Sequence, residues 1–174
     1  GIYNLFYAFF LNNFEPILDF SSNVRMENNI DAWNSVNISF TNGVTTSFQS
    51  ACDMTAASST HDAIIYGTEG FITTENFFMA QKAQLHKFDS EWGNENKVTE
   101  TIDLPFIVNG YEFEIIEATD CILDGKIECE KYPFVQSEIL CKTMDALRAS
   151  WNFVYPFEML LDLKLIVLYN QRLI

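Results

Sequence analysis

The sequence predicts an α+β domain in which an open, mainly antiparallel β-sheet carries helices on one face. Three observations predict it. An apolar run from Ile2 to Leu11 opens the chain. The middle breaks into short β-branched and aromatic runs separated by turn residues. From Gly110 onward the apolar period lengthens from two to about 3.6. Strands grouped between helices, instead of alternating with them, mark an antiparallel sheet covered on one side.

The elements follow in order. Ile2 to Leu11 is apolar on nearly every side, with Ile2, Leu5, Phe6, Phe9 and Phe10 at helical spacings and Asn12 and Asn13 as stop signals, which predicts a buried helix. After Pro16, Ile17 to Val24 and Ala32 to Phe40 read as strands. Val36, Ile38 and Phe40 alternate with Asn37 and Ser39 in the period of a half-buried strand. Asn42-Gly43 then separates this run from Val44 to Ala51, which is a strong hairpin signal. A second hairpin enters the turn Gly67-Thr68-Glu69-Gly70 from Ala63 to Tyr66 and leaves it through Phe71 to Thr74. Both glycines are expected to take positive φ there.

Ala83 to Phe88 and Val98 to Leu104 read as further strands around the polar loop Asp89 to Asn96. Ile115, Ala118, Thr119 and Ile122 share one face of a helix that begins after Gly110 and stops at Asp124-Gly125. A second helix, after Pro133, turns Leu140, Met144, Leu147 and Trp151 toward a core. Met159 to Ile174, rich in Leu and Ile, reads as one more strand or as an adventitious tail.

Composition narrows the function classes. With 174 residues, 48% of them hydrophobic, the chain can bury the core of one domain. Twenty-four acidic side chains against ten basic ones give a net charge of -14, which repels phosphate backbones and anionic lipid headgroups. Nucleic acid and membrane surfaces are therefore not expected partners. No apolar run approaches the roughly 20 residues of a membrane helix. Four cysteines without a CxxC pair suit reduced thiols in a cytoplasmic protein.

Several chemistries lack their motif. No GxGxxG or GxxxxGK[ST] loop is present to cradle a phosphate, and no GxSxG elbow presents a serine. His61 and His86, the two histidines, have no HExxH and no cysteine at ligand spacing, so no metal site is expected. Glu112, Glu114, Glu117 and Asp120 read as the solvated side of a helix. Asp145 and Arg148 have the i, i+3 spacing of an ion pair, and with Trp151, Tyr155 and Glu158 they read as a helix end docking on the rest of the molecule. Asn109, Gly110 and Tyr111 precede a helix, as substrate-side loops often do.

Five segments in order, GIYNLFYAFFL, FTNGVTTSF, AIIYGTEGFI with ENFF after it, GYEFEIIEATDCILDGK, and MDALRASWNFVYPFE, give a resemblance over Gly1 to Glu158. The chain resembles the C-terminal domain of the glucose-fructose oxidoreductase, inositol dehydrogenase and MocA family (Gfo/Idh/MocA). The GIY form is most similar to its dihydrodiol dehydrogenase and NADP-dependent D-xylose dehydrogenase branch. The resemblance implies an oxidoreductase that moves a hydride between NAD(P) and a sugar or cyclic diol.

It also implies two domains, with residues 1–158 as the substrate and dimerisation half and 159–174 as a departure from the family pattern. The Rossmann domain, expected before residue 1, would hold the NAD(P), so this chain alone is not expected to bind it. Gly1 and Tyr3 match the end of the family's substrate-facing motif, in which an aspartate, one residue, a glycine and one residue precede His or Tyr. Tyr3 is thereby implied as the catalytic proton donor and acceptor. The partnering Lys of the family's Glu-Lys-Pro motif has no counterpart here. Asn109 and Tyr111 are expected substrate contacts, and a homodimer through the sheet face is the expected assembly. The alternative is a non-enzymatic homo-oligomerising domain without its catalytic half.

Overall fold

A computed structural model describes residues 1–52, 61–88 and 96–158. Helix α1 (Ile2–Leu11) leads into an antiparallel meander of β1 (Ile17–Glu27), β2 (Ile30–Phe40) and β3 (Thr45–Ala51), in the order β1-β2-β3. A second antiparallel meander follows: β4 (Ala63–Tyr66), β5 (Gly70–Thr74), β6 (Lys82–Phe88) and β7 (Asn96–Asp103), with a 3₁₀ turn at Phe77–Met79. Helices α2 (Tyr111–Leu123) and α3 (Phe134–Ser150) complete the described chain. The class is α+β, as expected, with the strands divided between a three-stranded and a four-stranded sheet.

The first sheet is longer than its apolar pattern suggests. Asn28 and Asn29 both adopt positive φ, 50° and 61°, which makes a two-residue turn of the kind that matches strand twist. β1 and β2 therefore pair up to Glu27 and Ile30, past the polar Arg25 and Asp31 where alternation fades. The second expected turn behaves as predicted, with Gly43 at φ 85° and its N–H donating to the Phe40 carbonyl at 3.0 Å.

The core lies on one face of this sheet. Val36, Ile38 and Phe40 of β2 meet Leu5, Ala8 and Phe9 of α1 and Leu140 and Leu147 of α3, all buried. The alternate residues, among them Ser35 and Asn37 beside Ser21, Asn23, Ser47 and Gln49, make the opposite face polar. The α3 stripe is as expected, and Trp151 at its end donates its indole N–H to Ser22 Oγ at 2.8 Å. Helix α1 is not buried all round: Ile2, Tyr3, Phe10 and Leu11 are exposed, because only its Leu5-Ala8-Phe9 stripe meets the sheet.

One turn departs from expectation. Gly67 and Gly70 do not take positive φ; in the described chain the glycines that do are Gly43, Gly110 and Gly125. Gly70 is required for another reason, since a Cβ there would lie 2.0 Å from the His86 carbonyl oxygen on β6. Helix α2 forms where its spacing predicts, and no residue of it, the shared face of Ile115, Ala118, Thr119 and Ile122 included, is buried among the described residues. The helix is tied instead at its start, where the Phe113 and Phe106 rings meet edge-on at 6.3 Å.

The expected ion pair forms within a larger clasp. Arg148 donates to Asp145 at 2.5 Å and to both carboxylate oxygens of Glu158 at 2.9 and 3.1 Å, while its guanidinium lies 4.5 Å from the centre of the Tyr155 ring. These hydrogen bonds, to Glu158 first, raise the Arg148 pKa and fix the chain direction after α3. No described helix is long and apolar enough to cross a membrane. Residues 89–95 of the expected loop and the stretch Met159 to Ile174 lie outside the described residues.

Candidate functional site

Helix α1 touches both sheets, and that is what builds the site. Its buried stripe rests on β2, while Tyr3 and Tyr7 reach the 3₁₀ turn after β5. The Tyr7 ring lies 5.1 Å from Phe77, and its hydroxyl is 3.4 Å from Thr74 Oγ1. Tyr3, one turn earlier, stacks on Phe78 at 5.7 Å and stays 62% exposed. Asn4 fastens the first turn of α1 to β3, donating to the Gln49 carbonyl at 2.7 Å and to Ser50 Oγ at 3.2 Å.

Between these elements lies a cleft of about 400 Å³, lined among others by Tyr3, Trp33, Gln49, His61 and Phe78. That is the size of a small-molecule site, whereas a second cleft between α1, β2 and α3 measures only about 110 Å³. His61 is positioned through its backbone, whose carbonyl accepts the Phe77 N–H at 2.8 Å, and its ring meets Phe78 edge-on at 5.1 Å. Tyr3 and His61 thus approach the same phenyl ring from two elements. None of the described residues lining the larger cleft is Lys, Arg, Asp or Glu.

This lining defines what can bind. Aromatic faces accept the apolar face of a ring compound, and amide, hydroxyl and imidazole groups exchange hydrogen bonds with its hydroxyls. A phosphate or carboxylate would find no counter-charge among these side chains. Of the site residues expected from the sequence, Tyr3 is in the cleft, while Asn109 and Tyr111 line neither cleft; His61, for which no site was expected, lines the larger one. Asn109 Oδ1 accepts the Tyr111 N–H at 3.2 Å, and the Tyr111 side chain is exposed at the start of α2. His86 packs within its sheet, stacked on Phe71 at 4.4 Å with Nε2 3.2 Å from Thr73 Oγ1.

Glu112 is not a solvated helix side chain. Its carboxylate folds back over the preceding loop and accepts the N–H groups of Ile107 and Val108 at 2.8 and 3.0 Å and of Asn109 and Gly110 at 3.2 and 2.7 Å. These backbone donors, Val108 foremost, lower its pKa from 4.5 to about 2. A depressed carboxylate pKa stabilises the fold above the unfolded value, and the contribution fades as pH falls through the folded one. The difference in Tm between the native chain and Glu112→Gln is therefore largest above pH 4.5 and closes as pH falls to about 2. Thermal melts across that range check it, and a difference that does not vary with pH refutes it.

The residues that wall the cleft with Tyr3 come from positions 33, 49, 61 and 78, too far apart in sequence to form a motif. Only the pairing of β2 with β3 and the turn after β5 brings them together. Compared with known proteins, the chain matches no family model and no curated protein.

Proposed function

We propose that this chain forms the substrate side of an NAD(P)-dependent oxidoreductase acting on a neutral sugar or cyclic diol, which binds in the cleft between α1, β3 and the Phe77–Met79 turn. The observation that carries the reading is the cleft itself, with aromatic walls, neutral hydrogen-bonding groups and Tyr3 at its rim. The ordered segments that resemble Gfo/Idh/MocA enzymes support it, since the residue implied as proton carrier lines this cleft.

The chain's residues do not fit the cofactor: it has no glycine-rich phosphate loop, and no charged side chain among the described residues lines the cleft. In this reading the NAD(P) is held outside this chain, whose own residues act on the substrate. Trp33 and Phe78 seat the ring, Gln49 and His61 orient its hydroxyls, and the Tyr3 phenol exchanges a proton with the reacting hydroxyl.

Saturation-transfer NMR of the chain with D-xylose and with cyclohexane-1,2-diol tests this. Both probes receive saturation, D-gluconate does not, and Trp33→Ala abolishes the transfer while Tyr3→Phe retains it. Absence of transfer to either neutral probe, equal transfer to gluconate, or an unchanged signal in Trp33→Ala overturns the reading. NADPH fluorescence is unaffected by the chain; saturable binding would refute the placement of the cofactor.

The same reading includes pairing of two copies through the second sheet. Ile64, Tyr66, Phe88 and Val98 lie on one face of it and are exposed, and the half-buried Phe71 ring lies on the same face beside Tyr66. An apolar face of this kind suits an isologous contact. Sedimentation at micromolar concentration reports a dimer, and a clean monomer excludes the pairing.

A further inference from the structure

A second cluster, away from the cleft, gathers ligands for a metal ion. Glu117 and Cys121 stand one turn apart on the same face of α2. The chain then reverses at Gly125, φ 70°, and returns Cys129 to that face, where a bridge between Cys129 and Tyr132 pins the turn. As a result, the two sulfurs and a Glu117 carboxylate oxygen all lie within 4.8 Å of one another, and each of the three residues is half-buried. Cys129 Sγ donates to Glu117 Oε1 at 3.4 Å.

We propose that Glu117, Cys121 and Cys129 bind a divalent zinc-type ion. Bonds of about 2.3 Å to sulfur and about 2.0–2.2 Å to oxygen place tetrahedral ligands about 3.5–3.8 Å apart, so the three side chains need only close around the ion. Two sulfurs and one carboxylate favour zinc over magnesium or calcium, which take oxygen ligands. Three protein ligands leave the fourth position to water.

The charges balance. Binding displaces one proton from each thiol, so two thiolates and one carboxylate around a +2 ion carry one net negative charge. Lys131, ion-paired with Glu117, offsets it, and Lys126 stands in the same turn, paired with Glu130. The sequence hid this site because Glu-x3-Cys-x7-Cys is not a recurrent metal-binding spacing.

Cobalt(II) titration of the full 174-residue chain in a non-thiol reductant is the test. One equivalent binds with a thiolate-to-cobalt charge-transfer band and the d–d bands of a tetrahedral site, zinc displaces it, and two protons are released per ion. The bands are lost in the double variant Cys121→Ser, Cys129→Ser and persist in Cys52→Ser, Cys141→Ser. Glu117→Gln keeps the charge-transfer band and weakens binding. Circular dichroism shows both cysteine variants folded, as expected for a cluster outside the buried core. Absence of the bands in the reduced chain, or their survival in Cys121→Ser, Cys129→Ser, overturns the proposal. A Cys121–Cys129 disulfide that forms in air while the reduced pair binds no cobalt overturns it equally.

Discussion

Phe40→Ala lowers the unfolding free energy by about 3–5 kcal/mol, the cost of deleting a fully buried aromatic ring whose space the neighbours fill only in part. Phe40 has no exposed surface, closes β2 and meets Phe9 of α1 edge-on at 5.6 Å. Its ring therefore joins the sheet to the helix. For a chain of this size the loss lowers Tm by on the order of 10 °C. Phe10→Ala is the matched control, because Phe10 is 54% exposed on the same helix and its removal leaves less of a cavity. Urea unfolding of both variants decides the matter. Equal losses, or a loss at Phe40 below about 1 kcal/mol, would mean that the core is packed otherwise.

The second large effect comes from a single methyl group. Gly70→Ala places a Cβ 2.0 Å from the His86 carbonyl oxygen and 3.1 Å from both the carbonyl carbon and the Lys87 Cα. All three are backbone atoms, so the clash cannot be relieved by turning a side chain. β5 must move from β6, breaking the Gly70–Lys87 pairing and parting the Phe71 ring from His86. The cost is about 3 kcal/mol, at the upper end of overpacking. Gly67→Ala, in the same turn, meets its nearest atom at an ordinary 3.6 Å and stays within about 0.5 kcal/mol. Thermal melts of the two variants are expected to differ accordingly; similar melts would refute the close approach at Gly70.

The contrast at Gly70 shows where sequence reading reaches its limit. Turn chemistry correctly marked Gly67 to Gly70 as a turn but gave the wrong reason for the glycine, because the carbonyl it must admit belongs to a strand sixteen residues on. Local patterns were legible where the determinant was local. The alternation in β2, the stripe of α3 and the stop at Gly125 each stand as read. The extension of β1 and β2 was also written locally, in Asn28-Asn29, although apolar alternation does not display it.

The sites are different. Tyr3 is marked by the short GIY motif, but Trp33, Gln49, His61 and Phe78 become its neighbours only through strand pairing. Glu112 and Glu117 show the same limit in electrostatics. A carboxylate on a helix reads as solvated until a loop's N–H groups or a returning cysteine is found against it.

Burial in this molecule is uneven. Buried side chains are concentrated in α1, β2 and α3, whereas the described part of the second sheet buries only Gly70 and Thr74. Resistance to local opening follows burial, so the amides of β2 exchange with solvent only when the whole chain unfolds, and those of β6 and β7 exchange through a cheaper partial opening. The cleft at Tyr3 spans this boundary, with β3 on its firm side and the turn after β5 on its loose side. Under the proposed function, a substrate seated across this boundary would bind only while the turn after β5 is in place and, by mass action, would slow exchange in the sheet whose described residues bury little.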